Sequence, residues 1–395
     1  DKSSTAIDWN RNGVFGEKGV RADINDGYSA TYRSQVKLEF AAGATALAAL
    51  GSTLVVVYPD LPKREDYKEF EHRALSKERI GKLQVQLIEN GKPGPPQTIV
   101  ESEVAGDPTA ATFGNTVWVS YPTVTGYSFK SLRKVGSLLK ETTTVNHLDA
   151  DSQPTLVALP DSLAVLVWSE KTQAVSLKVL TGEPQPDQLL EAVTSQYPVG
   201  ATWNSKKKCL AVVTPVKQGD KPGRLKINHL RKSNGQWTVF ETIWVEGDKG
   251  TAATSWRPQV IFDPSKDRGP EGAYMVFIKG GYADPHQGGL NYLCRQIADK
   301  TLGDGWRTKM LGNEWANTRS VCGVTNYKGD IAYAVRWHAG KGGNEDARLT
   351  VSLRASGIEN EWLTDFDEVG YVFKTGLARS LQNVRDEQWR PKRKT

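Results

Sequence analysis

Six short apolar segments of similar pattern recur along the chain, and this repeat constrains the fold more than any other feature. Each is rich in β-branched and other apolar residues, as expected of a strand covered on both faces, and five of the six end in an aromatic or polar residue. The six segments are residues 53–58, 116–121, 163–168, 209–214, 273–278 and 332–337. Their uneven spacing, roughly 45 to 65 residues, suits the blades of a β-propeller with loop insertions better than a strictly periodic solenoid.

Further strands are predicted around these segments. An alternating strand follows in four of the units, at residues 82–87, 175–180, 224–229 and 348–353. A polar turn with a tryptophan precedes a further strand in three units, at Trp237, Trp306 and Trp362. We therefore predict an all-β fold, a β-propeller of six four-stranded blades over residues 28–375, in which residues 28–40 add the outer strand of the last blade. Seven blades and a β-sandwich of similar hairpins are the alternatives.

The composition argues against a nucleic-acid partner and against a membrane span. The chain is 38% hydrophobic with a formal charge of +6, and part of that charge lies in residues 376–395, which we interpret as a solvated basic tail rather than a nucleic-acid arm. No apolar run is long enough to predict a membrane span. The oligomeric state stays open. The cysteines form no CxxC pair, so we expect a buried free thiol at Cys209 and leave a Cys294–Cys322 bridge open.

The amino-terminal residues 1–27 carry a candidate calcium loop. Residues 8 to 13 read Asp-Trp-Asn-Arg-Asn-Gly, which places oxygen-bearing side chains at alternate positions before a glycine, as in an EF-hand-type loop. The expected calcium ligands are Asp8, Asn10, Asn12, the carbonyl of Val14, and Asp23. Loop position 12 is Gly19 rather than glutamate, so the closing ligand has to come from Glu17 or Asp23. This stretch resembles the DWNxNG…ADIN segment of secreted bacterial metalloproteases and other exported proteins.

The first candidate ligand site is a set of aligned residues, one from each repeat, which we call the polar column. Before the first strand of each unit the aligned residues are Gly43, Asp107, Gln153, Tyr197, Arg257 and Arg319. In a propeller these positions meet on one face, so a column that is polar and different in each blade favours a central site with directed contacts. Arg257 and Arg319 fall on neighbouring blades and could grip a carboxylate. The alternative is that these residues are only solvated loop positions.

Loop insertions on the same face supply further candidates. They are Tyr282, Asp284 and His286 in one insertion, and Trp337 and His338 where the last unit's second strand ends. Aromatic side chains beside carboxylate and imidazole groups suit carbohydrate rings, which have an apolar face and a rim of hydroxyls. A charged insertion can equally serve only to keep a loop soluble.

The polar turns before Trp237, Trp306 and Trp362 resemble degraded forms of the Ser-x-Asp-x-Gly-x-x-Trp box of the sialidase-type propeller superfamily. This resemblance implies a propeller over roughly residues 40–370. Active members need three arginines, a tyrosine paired with a carboxylate and an acid/base aspartate, and here only Arg257 and Arg319 can be nominated. The family's Arg-Ile-Pro motif is missing. The sequence also has no HExxH motif.

Two classes of function follow. The first is a secreted or cell-surface propeller, with a periplasmic location as the alternative, that binds a glycan or an extracellular protein through its loops. The second is a glycan-processing enzyme, either a sialidase-like hydrolase or a polysaccharide lyase, for which Asp107, Asp151, Asp284 and His286 would be the residues to test. The incomplete catalytic set favours binding over catalysis.

Overall fold

The computed structural model describes most of the repeat region. The described residues are 35–38, 45–60, 80–90, 92–148, 154–181, 186–195, 198–218, 221–245, 258–264, 273–279, 290–296, 307–310, 318–328, 330–339 and 346–352. All regular elements among them are β-strands, and these form six antiparallel sheets. Each sheet corresponds to one blade, and we number the blades along the chain.

The strands follow one another in blade order, after β1 (Gln35–Leu38). Blade 1 contains β2 (Ala46–Leu50), β3 (Thr53–Asp60), β4 (Gly81–Glu89), β5 (Lys92–Pro93) and β6 (Gln97–Val104). Blade 2 contains β7 (Thr109–Phe113), β8 (Thr116–Thr123), β9 (Gly126–Val135) and β10 (Leu138–Leu148). Blade 3 contains β11 (Thr155–Ala158), β12 (Leu163–Trp168), β13 (Ala174–Val179) and β14 (Gln188–Thr194).

The second half repeats this order. Blade 4 contains β15 (Gly200–Asn204), β16 (Cys209–Gln218), β17 (Lys221–Ser233) and β18 (Gln236–Val245). Blade 5 contains β19 (Gln259–Asp263), β20 (Ala273–Lys279), β21 (Leu290–Gln296) and β22 (Arg307–Met310). Blade 6 contains β23 (Thr318–Tyr327), β24 (Asp330–Ala339) and β25 (Asp346–Ser352).

The burial of each strand follows from its place in the blade. In β3 all residues but the last are buried, because both faces of the second strand are covered by neighbouring blades. In β4, farther out, buried and half-exposed residues alternate. Tight turns join the strands: between β17 and β18, Asn234 and Gly235 both have positive φ, 51° and 81°, as a two-residue hairpin requires.

Among the described residues, the innermost strands of the six sheets contact one another in a ring. β2 contacts β7, β7 contacts β11, and the series continues through β15, β19 and β23 back to β2. Neighbouring innermost strands approach each other closely at two glycines. A Cβ on Gly323 would lie 2.8 Å from the backbone nitrogen of Leu47, and a Cβ on Gly200 would collide with the carbonyl oxygen of Pro258. Larger side chains at these positions would push neighbouring blades apart.

The first and last strands that the structure describes pair with each other in blade 6. β1 pairs antiparallel with β25, with Val36 opposite Val351, so that a strand from the start of the chain becomes the outer strand of the last blade. This is the closure predicted for residues 28–40. The strand predicted after Trp362 lies outside the described residues.

The structure confirms the all-β propeller and all six repeated segments, each of which lies within or mostly within the second strand of a blade. Cys209 is a buried free thiol, as expected. The predicted blade number is a count over the whole chain and stays a prediction, as do the boundaries of the amino-terminal segment and the basic tail. Nowhere in the described ranges is there a helix of the length and apolarity needed to cross a membrane.

Candidate functional site

The propeller has two unlike faces around a central channel. The loop face is where the chain starts each innermost strand and where second strands join third strands; the turn face is where first strands join second strands, as at Gly51 and Gly114. The channel has a volume of about 390 Å³ and is lined by the innermost strands of the six described sheets. Its described wall consists of uncharged residues such as Ala110, Thr112 and Trp203. Charged contacts to a ligand there would have to come from the channel mouth.

Asp107 lies at that mouth in blade 2. It directly precedes Pro108 and the innermost strand β7, and its side chain is half-buried. The approaching chain is fixed by a hydrogen bond of 2.8 Å from the backbone N–H of Ala105 to the carbonyl oxygen of Pro122. Asp107 therefore lies on the loop face, and its role in ligand binding stays a prediction.

Three further predicted residues lie together in blade 6. Arg319 occupies a β-bulge at the start of β23, between Thr318 and Ser320. Trp337 pairs with Thr318 across β23 and β24, and His338 follows it in the same strand. The register thus brings the backbones of Arg319, Trp337 and His338 to one sheet end on the loop face, although they were nominated from separate segments.

The remaining predicted residues lie outside the described residues. These are Gln153, Tyr197, Arg257, Tyr282, Asp284 and His286 of the loop face, and the calcium candidates Asp8, Asn10, Asn12, Val14 and Asp23. Among the residues that the structure does describe, His, Cys, Asp and Glu side chains form no group of three or more that could hold a metal ion.

A tyrosine–carboxylate pair, which sequence reasoning did not find, joins blades 1 and 2. The Tyr121 hydroxyl donates a hydrogen bond of 2.7 Å to Oε1 of Glu103. Burial of the ring, followed by the contact with the carboxylate, raises the pKa of Tyr121 above its usual range. The Tyr121 side chain is buried, with 1% of its surface exposed, and the hydrogen bond fastens blade 1 to blade 2.

A second network of hydrogen-bonded polar side chains joins blades 4 and 5 near the turn face. Nδ1 of His229 lies 2.6 Å from Oε2 of Glu241, and its Nε2 lies 2.8 Å from the hydroxyl of Tyr274. Asn204 donates from Nδ2 to the same hydroxyl at 2.7 Å, and Lys207 contacts Glu241 at 2.7 Å. Because an ionised carboxylate only accepts, Nδ1 carries the proton and Nε2 accepts from Tyr274.

This chain of groups looks like a catalytic relay, but its surroundings make it a structural connection. The His229 side chain is fully buried, and burial lowers its pKa more than the Glu241 carboxylate raises it. The Tyr274 pKa is raised, again by burial first. No substrate can reach the imidazole, so the network holds a strand of blade 4 against β20 of blade 5. The sequence gives no sign of this contact, because Tyr274 lies 45 positions from His229 along the chain.

Comparison with known proteins gives the class of fold. No family model matches the sequence, and no curated protein is similar to it. Among solved structures, a Trypanosoma rangeli sialidase in complex with the inhibitor DANA matches with a TM-score of 0.53 and 7% identity, over 84% of this chain and 58% of that chain. This chain therefore spans less than two thirds of the sialidase.

Two smaller propellers are also similar. The GH93 alpha-L-arabinofuranosidase of Fusarium graminearum matches with a TM-score of 0.49 and 12% identity, over 81% of this chain and 98% of that chain. The Aleuria aurantia lectin, in complex with alpha-methyl-L-fucoside, matches with a TM-score of 0.45 and 13% identity, over 76% of this chain and 90% of that chain. At these identities the likenesses are of fold alone, and the one to the sialidase agrees with the sialidase-like propeller expected from the sequence.

The His229 network predicts a pH-dependent stability. Because the folded state holds the imidazole neutral, with a pKa below the ordinary 6.5, the unfolded state binds a proton more readily. The free energy of unfolding should therefore fall as pH drops below about 6.5. We expect His229→Gln to be less stable by about 1–3 kcal/mol near neutral pH and to lose less stability on acidification. Denaturant unfolding of both proteins at several pH values measures this; parallel pH profiles would contradict it.

Proposed function

We propose that this chain is a glycan-binding propeller that recognises its ligand through the loop face. The observation that carries the proposal is the common location of Arg319, Trp337 and His338 at one end of blade 6, on the same face as Asp107 of blade 2. Residues with an aromatic, a cationic, an imidazole and a carboxylate side chain on one face are of the types that bind a saccharide by stacking and by directed hydrogen bonds.

The fold neighbours support a glycan over a protein ligand. The sialidase that matches with a TM-score of 0.53 is a glycan-acting protein by its name. A channel mouth ringed by six blade ends is concave, and concave sites suit small ligands better than flat protein surfaces. An extracellular protein ligand is the outcome to consider if no glycan binds.

Binding is favoured over processing by the character of the tyrosine–carboxylate pair. Of the partners that a sialidase needs, Tyr121 and Glu103 are adjacent, but the Tyr121 side chain is buried between two blades, out of reach of a glycan on the loop face. Glycan hydrolysis or elimination by this chain would have to use other groups on the loop face, such as Asp107.

A matched set of variants tests the loop face. The variants Asp107→Ala, Arg319→Ala and Trp337→Ala should each weaken binding to the best ligand of a glycan array by about tenfold or more, because each removes a charged contact or a stacking surface. Leu138→Ala, at an exposed position on the turn face of blade 2, should leave binding unchanged. Titration calorimetry with that ligand provides the affinities.

Two different results would contradict the proposal that the loop face binds a glycan. Full affinity in all three loop-face variants, with native melting temperatures, would overturn the proposal. Release of chromophore from a panel of chromogenic glycosides by the parent protein, and its loss in Asp107→Ala, would replace binding by glycan processing.

We further propose that residues 8–14 bind calcium and that the chain works outside the cytoplasm. The donor set of Asp8, Asn10, Asn12 and the Val14 carbonyl consists of hard oxygen ligands, which fit calcium. Removal of calcium by a chelator should lower the melting temperature of the parent protein and have no effect on an Asp8→Ala, Asn10→Ala double variant. Identical melting curves of the parent with and without chelator would contradict this.

A further inference from the structure

A groove opens between blades 3 and 4 on the side of the turn face. It has a volume of about 800 Å³, within the range of small-molecule sites. One wall comes from β13 and β14 of blade 3, including Leu177 and Leu189; the other comes from β17 and β18 of blade 4, including Trp237 and Lys232. The groove shares no lining residue with the central channel.

The two walls are locked together by one amide. The side chain of Gln188 accepts a hydrogen bond of 2.9 Å from the backbone N–H of Trp237 and donates one of 3.1 Å to its carbonyl oxygen. This clamp fixes the outer strand of blade 4 against that of blade 3 at the groove. The site is therefore formed before any ligand arrives, which lowers the entropy cost of binding.

The same glutamine-to-backbone contact occurs between another pair of blades, so it does not by itself mark the groove as a binding site. Between blades 1 and 2, Gln97 binds both backbone groups of Leu139 in the same way, at 3.0 and 2.6 Å. The Leu139 side chain is buried. At the equivalent place in blade 4 stands Trp237, whose indole is only half-buried and lines the groove. The clamp is thus a property of the fold, and the indole platform is particular to this groove.

The rim carries hydrogen-bonding groups with balanced charge. Asp187 is paired with Lys178 at 3.4 Å, and the other charged lining residues are Glu191 on one wall and Lys232 on the other. Exposed amide and hydroxyl side chains lie along the blade 4 wall, at Asn234, Gln236 and Thr238. Such a rim offers no net attraction to an ion, but it offers many partners to a neutral ligand rich in hydroxyl groups.

We infer that this groove is a second binding site, for a neutral saccharide whose ring lies on the indole of Trp237. Apolar contact comes from the exposed Leu189, and the ligand's hydroxyls bond to the polar side chains along the groove. The site lies toward the opposite face from Asp107 and Trp337 and depends on none of the loop-face residues. With both sites occupied, one propeller could bridge two chains of a glycan.

The test uses the full chain and a set of named probes: the methyl glycosides of glucose, galactose, mannose, xylose, arabinose and fucose, with methyl glucuronide as the charged probe. Binding is measured by saturation-transfer difference NMR. At least one neutral glycoside should bind the parent protein. Trp237→Ala should weaken it by about tenfold or more, Trp237→Tyr should retain most of the affinity, and Leu189→Arg, at an exposed position that need not disturb folding, should block the groove.

Two controls separate this inference from the loop-face proposal. Trp244→Ala removes a half-exposed indole from the same strand, outside the groove, and should leave binding unchanged. Trp337→Ala should also leave groove binding unchanged. The inference is overturned if no neutral glycoside binds the parent, if only methyl glucuronide binds, or if the binding that remains in Trp337→Ala survives the further addition of Trp237→Ala and of Leu189→Arg. Loss of all binding in Trp337→Ala alone would overturn it while supporting the loop-face site.

Discussion

The pairing of β1 with β25 is the interaction on which the rest of the structure depends. An open arc of blades would leave the flank of blade 1 and the outer edge of blade 6 uncovered, and exposed strand edges and apolar flanks invite aggregation. Bringing Gln35–Leu38 onto the last blade joins strands more than three hundred residues apart and places blade 6 against blade 1. There the Tyr327 hydroxyl donates a hydrogen bond of 2.9 Å to the carbonyl oxygen of Ser52.

Within the closed ring, specific polar contacts set the angle between neighbouring blades. Apolar packing alone is tolerant of small rotations, whereas hydrogen bonds with fixed partners are not. His229 and Tyr274 fix blade 4 against blade 5, and Gln188 fixes blade 3 against blade 4. These contacts hold the frame that carries the two proposed binding surfaces, the loop face and the groove between blades 3 and 4.

Much of the fold could be predicted because its signals are local. A second strand such as β8 is covered on both faces and is therefore apolar along its length, which a reader of the sequence can recognise. The interblade contacts gave no such signal, since a glutamine that clamps a backbone looks like any exposed glutamine. Trp237 was recognised only as the start of a strand, because its role in the groove depends on Leu177 and Leu189 of another blade. For the same reason, separate segments yielded Arg319 and Trp337 as candidates without showing that a bulge brings them to one sheet end.

The most direct test of this account is a disulfide across the closing strands. Val36 and Val351 are cross-strand partners, and opposed residues of antiparallel strands have the Cα separation that a disulfide requires. In the double variant Val36→Cys, Val351→Cys, peptide mapping of the folded, oxidised protein should find the two cysteines joined, and the melting temperature should rise above that of the reduced form. Recovery of the two peptides unlinked, with the protein folded, would contradict a ring closed by the amino-terminal strand.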